Sequence, residues 1–165
     1  MPVIEFRVNG TPKGQPRPRA FARKMGQKFV ARVYDDGSVE GWKGCIALAA
    51  RPHIPTTPIT GPVKLELAIY LHRPQRFCRK CDVPHPIPAE CKPDADNAAK
   101  AVMDALTVLG FWKDDAQVVD ANVYKWYSAK GENPGAVVKL TYGQAWPMWE
   151  PMMHGQLTVG AGGGR

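Results

Sequence analysis

Apolar and polar positions alternate through residues 3–8, with Ile4, Phe6 and Val8 on one side and Glu5 and Arg7 on the other, the period of a strand. The same period returns more cleanly over residues 63–71, where Val63, Leu65, Leu67, Ile69 and Leu71 alternate with Lys64 and Glu66 behind a Gly61-Pro62 break. Between these strands, residues 38–51 carry helical spacing, with Ser38 as the N-cap candidate and Trp42, Ile46 and Ala49 facing inward, closed off by Pro52, Pro55 and Pro58. A second helix is expected to begin at Asp96 as its N-cap and to bury Ala98, Ala101, Val102, Ala105, Leu106 and Leu109 before Gly110 ends it. Residues 118–128 and 136–142 read as two further strands, joined through AKGENPG as a hairpin with a longer turn. The order strand, helix, strand, helix, strand, strand predicts a single α+β domain over residues 1–142, two main helices packed on a small mixed sheet. Residues 143–165 read as an irregular tail rich in Trp, Met and Gly.

Charge changes this picture most. The chain has 165 residues, one domain by length, with a net charge of +7 and a pI near 9.4, which calls for a polyanionic partner. Much of the excess lies in a basic arm over residues 11–32, where Pro12, Pro16 and Pro18 forbid a helix early on. Lys13, Arg17, Arg19, Arg23, Lys24 and Lys28 in this acid-free run are the candidate DNA-binding residues, each phosphate contact releasing condensed counterions. No apolar run is long enough to span a bilayer, and the N-terminus has a strand pattern and not that of a signal peptide, so a cytoplasmic protein with no membrane partner is expected. Its cysteines should be reduced there, Cys45 as a core thiol.

Against this basic background, residues 92–120 concentrate acid around one short helix. Asp94 and Asp96 stand at i and i+2, and on an extended chain that period points both carboxylates to one side, as two ligands of a hard cation need. At ~100° per residue the polar face of the helix aligns Asp96, Lys100, Asp104 and Thr107. Asp114 and Asp115 follow just before the next strand, which swings a second acidic pair back beside the first. Singly, each has a structural explanation: a cap, an ordinary i, i+4 pair, a solvated turn. Together they surround one helix start in a basic protein, and that conjunction points to a divalent metal held against a polyanion.

The blocks KPDADNAAKAVMDAL and GFWKDDAQV, with their spacing, resemble the signature of RusA-type Holliday junction resolvases, small endodeoxyribonucleases common in prophages. The GTPKGQPRPR run after the first strand also resembles the N-terminal block of that family, while Ala98 stands where the family carries a bulkier apolar residue. The resemblance implies a metal-dependent endonuclease that resolves four-way DNA junctions by symmetric phosphodiester hydrolysis, in recombination and repair. It implies Mg²⁺, with Mn²⁺ as the alternative, bound by Asp94, Asp96 and Asp115, with Asp114 a further candidate. Lys100 is implied as the lysine required for cleavage, branched DNA as the substrate and a homodimer as the acting form. The residues add their own chemistry: a cation polarises the phosphate and acidifies a water, and Lys100 offsets the charge that builds in the transition state. Two opposed cuts call for two sites about a twofold axis.

The rival reading starts from residues 72–91, where Cys78, Cys81, His85 and Cys91 are spaced nearly as in a zinc knuckle, with the histidine one position early. Four such ligands would close a tetrahedral Zn²⁺ site, although Pro84, Pro86 and Pro88 stiffen the loop and the glycine typical of knuckles is missing. On that reading the chain is a non-enzymatic nucleic-acid binding module, with Phe77, Trp126 and Tyr127 available to stack on bases. It leaves the acidic cluster unexplained.

Overall fold

The computed structural model describes residues 1–15, 19–25, 28–34, 37 and 39–143, and within 19–34 the backbone only. Strands β1 (Val3–Asn9), β4 (Val63–Leu71), β6 (Val118–Tyr127) and β7 (Gly135–Tyr142), with the two-residue β5 (Ile87–Pro88), form a mixed sheet in the order β1-β7-β4-β6-β5. Helices α1 (Glu40–Ala50) and α2 (Ala95–Val108) cover one face of it. The α+β class and the two-helix layer are as the periodicity predicts.

β4 explains the topology. Its odd-numbered side chains from Val63 to Leu71 are all buried, and a strand so apolar belongs at the centre of a sheet, with both edges paired. It therefore lies between β6, which it pairs in parallel, and β7, which it pairs antiparallel. The hairpin expected between residues 118–128 and 136–142 is thus corrected: the two strands follow one another in the chain but never pair. Their connection crosses the end of β4, where buried Ser128 bonds the Leu71 carbonyl through both its amide (2.8 Å) and its hydroxyl (3.1 Å).

The core lies between sheet and helices, where Phe6, Val8, Leu65, Leu67, Ile69, Val138 and Leu140 meet Trp42, Ile46, Val102 and Leu106. Complete burial of Val102 and Leu106 is worth about 1.5–3 kcal/mol each, so α2 is held from behind while its polar face stays open. Ala98, small where the resemblance suggests bulk, is fully covered. The opposite sheet face is polar, crossed by Lys64–Asp120 (3.8 Å) and Lys139–Glu66 (3.3 Å) ion pairs.

The basic arm is more ordered than proline content suggests, because its second half pairs with itself: β2 (Arg19–Met25) and β3 (Lys28–Tyr34) form an antiparallel hairpin. α1 opens at Glu40 behind Val39 and buries Trp42, Ile46 and Ala50. Ser38, Arg17 and the tail beyond Gly143 lie outside the described residues. Among the described residues, no helix is long and apolar enough to cross a membrane.

Candidate active site

α2 begins two residues earlier than its pattern suggests. Asp94, in extended backbone (φ −67°, ψ 148°) after a cis Lys92-Pro93 bond, is the N-cap residue, and Asp96 stands inside the first turn. Asp94 makes no side-chain capping bond, and Asn97 Nδ2 reaches its Oδ2 only at 3.5 Å. The pair therefore straddles the helix boundary, and the extended-chain periodicity does not apply to it. What the two carboxylates share is the helix start itself, whose free amides favour negative charge. At the other end the Gly110 amide bonds Thr107 O (3.0 Å) and the Phe111 amide bonds Leu106 O (3.1 Å), a Schellman closure that needs the positive φ of Gly110 (80°).

That closure turns the chain back along α2. The Trp112 indole donates to Thr107 Oγ1 (2.7 Å), and the following 3₁₀ turn, Asp115–Gln117, brings Asp115 under the helix. Lys100 Nζ then stands 2.6 Å from Asp115 Oδ2 and 3.0 Å from Asp104 Oδ1. The i, i+4 contact follows from helical spacing, whereas the Asp115 contact spans fifteen residues and exists only through the turn. The bonds to Asp115 and Asp104 hold the Lys100 ammonium well above the usual lysine range, and the Lys100 bond holds the Asp115 carboxyl below the usual carboxylate range. Lys100 is therefore a permanent cation, half-exposed on an open face.

Asp114 is otherwise employed. Its Oδ1 accepts from the Ala116 amide (2.8 Å), and Gln117 Oε1 returns to the Asp114 amide (3.3 Å), a reciprocal cap. Neither composition nor charge points to Gln117, although the spacing D-x-x-Q is the signature of that cap. Lys13 is exposed at the start of the arm, which is rooted on the same helix: Gln15 N bonds Asn97 O at 2.8 Å. The side-chain oxygen of Gln15 is buried there without a partner. Arg19, Arg23, Lys24 and Lys28 lie on the hairpin strands.

Asp94, Asp96 and Asp115 offer the hard oxygen donors that suit Mg²⁺, but no group of three His, Cys, Asp or Glu side chains comes together as a metal cage among the described residues. The donors that fit are fewer, a carboxylate pair at a helix start, which is the arrangement Mg²⁺ takes when waters and substrate phosphate complete its octahedron. Cys78, Cys81, His85 and Cys91 are likewise not assembled. Cys78 Sγ turns to Pro74 O (3.4 Å) and His85 Nδ1 to Pro86 O (3.0 Å). Instead a buried arginine organises their loop: Arg73 donates to Phe77 O (2.9 Å), His85 O (2.9 Å) and Val83 O (2.8 Å). Lys130 Nζ adds Arg79 O (2.5 Å) and Asp82 O (2.6 Å).

The family model described as Endodeoxyribonuclease RusA matches residues 9–141. The chain is 37% identical to the uncharacterized protein YqaN of Bacillus subtilis (strain 168) over 133 residues, 78% of this chain and 90% of that protein. It is 45% identical over 65 residues to the crossover junction endodeoxyribonuclease RusA of Escherichia coli (strain K12) and to that of Shigella sonnei (strain Ss046). These last alignments cover 39% of this chain and span about half the length, 51%, of each of those two relatives.

Proposed function

The chain belongs to the RusA endodeoxyribonuclease family, and from that premise we propose that it is a metal-dependent endonuclease that resolves four-way DNA junctions as a homodimer. The observation that carries the reading is the Lys100 ammonium, held by two carboxylates on the open face of the helix that Asp94 precedes as N-cap residue and whose first turn bears Asp96. A cation clamped in this way is positioned to meet a phosphate, and a carboxylate pair on the same face repels DNA unless a metal lies between them.

Asp94 and Asp96 would hold the divalent ion, with Asp115 as the third carboxylate. When bound, such an ion polarises the scissile phosphate and lowers the pKa of a water. Asp115 and Asp104 keep Lys100 protonated and aimed, so that its charge offsets what accumulates on the phosphoryl oxygens or the leaving oxygen. The arm, whose root touches α2 at Asn97, carries basic residues to the flanking backbone. Residues 1–142 then constitute the nuclease unit.

The test is cleavage of a labelled four-way junction with a mobile core beside linear duplex of the same arms, with Mg²⁺, Mn²⁺ or EDTA. Paired symmetric nicks in the junction alone, dependent on metal and lost in Asp96→Asn with binding retained, are expected. Tight binding without cutting under either metal refutes the enzymatic reading.

A further inference from the structure

We propose that Gln117 is a positioning residue of this nuclease site: its side-chain amide locks the acidic turn onto the segment entering β4 and so holds the Asp115 carboxylate at the Lys100 ammonium. The inference rests on reading Asp115 and Lys100 as site residues.

Gln117 Oε1 accepts from the amides of Lys113 (3.0 Å) and Asp114 (3.3 Å). Its Nε2 donates to the carbonyls of Ile59 (2.9 Å) and Gly61 (3.1 Å). A primary amide has two N–H donors and two acceptor sites, and here all are engaged. Two of the four bonds belong to the turn, and two reach 56 and 58 residues back along the chain. Gln117 is therefore a cross-link between elements as well as a local cap. Backbone contacts close the same seam: the Ile59 amide bonds Phe111 O at 2.7 Å, and Ile59 bridges Trp112.

No other side chain can serve. Glutamate would turn acceptor oxygens toward two carbonyls, asparagine is one methylene short, and lysine or arginine cannot accept from the two amides. The need for the clamp follows from where the site residues originate. Lys100 stands on α2 and Asp115 on a short turn, and the 2.6 Å contact between them survives only while that turn keeps its place. A loop-borne carboxylate held by solvent-exposed contacts alone would sample many positions, and loosely held site groups lose rate steeply.

The experiment compares Gln117→Glu, Gln117→Ala and Gln117→Asn with the parent, using Asp115→Asn as reference. Single-turnover cleavage of the junction with Mg²⁺, junction Kd, melting temperature and NMR hydrogen exchange at the Lys113 and Asp114 amides are measured. For Glu and Ala we expect junction Kd within about twofold of the parent and a cleavage rate per folded molecule reduced roughly 10- to 100-fold. Both amides should exchange faster in Ala, with Asn intermediate, whereas Glu keeps an acceptor for them and loses only the bonds to Ile59 and Gly61. Parental cleavage rates in Gln117→Glu and Gln117→Ala, beside an inactive Asp115→Asn, overturn the positioning role, as does a loss that merely tracks unfolded protein. If Asp115→Asn itself cleaves normally, the reading of Asp115 fails, and amide exchange then decides the clamp: unchanged exchange in Gln117→Ala overturns it.

Discussion

Replacing Lys100 with methionine separates what this side chain does for the fold from what it does for the reaction. The aliphatic stem is kept and the ammonium removed. Two ion pairs go with it, to Asp115 at 2.6 Å and to Asp104 at 3.0 Å, all three side chains partly exposed. Pairs of this kind contribute about 0.2–1 kcal/mol each, and the lysine-first order of the i, i+4 pair puts it at the weak end. The stability loss should therefore be about 1 kcal/mol, a shift near 3 °C in Tm for a domain of this size. It should also be flat with pH. Because the Asp115 pKa is depressed, its contribution is present above the ordinary carboxylate value and lost only as pH falls through the depressed one. Because the Lys100 pKa is raised, its contribution is present below the ordinary lysine value and lost only as pH rises through the raised one. The Tm difference between parent and variant should thus stay constant from roughly pH 5 to pH 10. Cleavage should respond far more. A preorganised donor to a developing oxyanion is worth about 2.7–4 kcal/mol, so single-turnover cleavage should fall by roughly 10²–10³ with junction Kd little changed. A reduction under tenfold per folded molecule, or one matched by the stability change, refutes the assignment of Lys100 to the chemistry.

Three other perturbations test the surrounding structure. A Cβ added at Gly14 would stand 2.9 Å from Asn97 Cβ and 3.0 Å from Pro93 Cβ, so Gly14→Ala should push the root of the arm off α2 at a cost of about 1–3 kcal/mol; urea unfolding within about 0.5 kcal/mol of the parent would count against this packing. Arg73→Met removes three charge-assisted bonds inside the cysteine loop and should cost about 3 kcal/mol or more, whereas chelator should leave the parent's Tm unchanged; a chelator-sensitive melt with one zinc per chain would restore the knuckle. Removing charges at Arg19, Arg23, Lys24 or Lys28 should weaken junction binding and reduce the slope of log Kd against log salt by about one for each phosphate no longer neutralised; an unchanged slope would exclude that residue from the DNA surface.

The fold was legible wherever one element decided its own burial. β4 and α2 could be read from the sequence because their apolar periods are complete, and the close of α2 because Gly110 is the residue a left-handed C-cap favours. Strand pairing was not, since a short connection favours a hairpin and only competition for the centre of the sheet places β4 between β6 and β7. The arm hairpin was hidden by prolines that precede it without entering it.

By itself the sequence determined the chemistry available: the acidic cluster, the lysine four residues on, the basic arm and the family they belong to, because those depend on residue type and local spacing. Tertiary structure decided the assignments. It gave Asp115 to Lys100, Asp114 to a cap, Arg73 to the loop where zinc ligands are spaced, and Gln117 to a seam between distant segments. The Asp114 cap is local, but the Asp115–Lys100 and Gln117–Ile59 contacts join residues 15 and 58 positions apart, which come within about 3 Å only on folding.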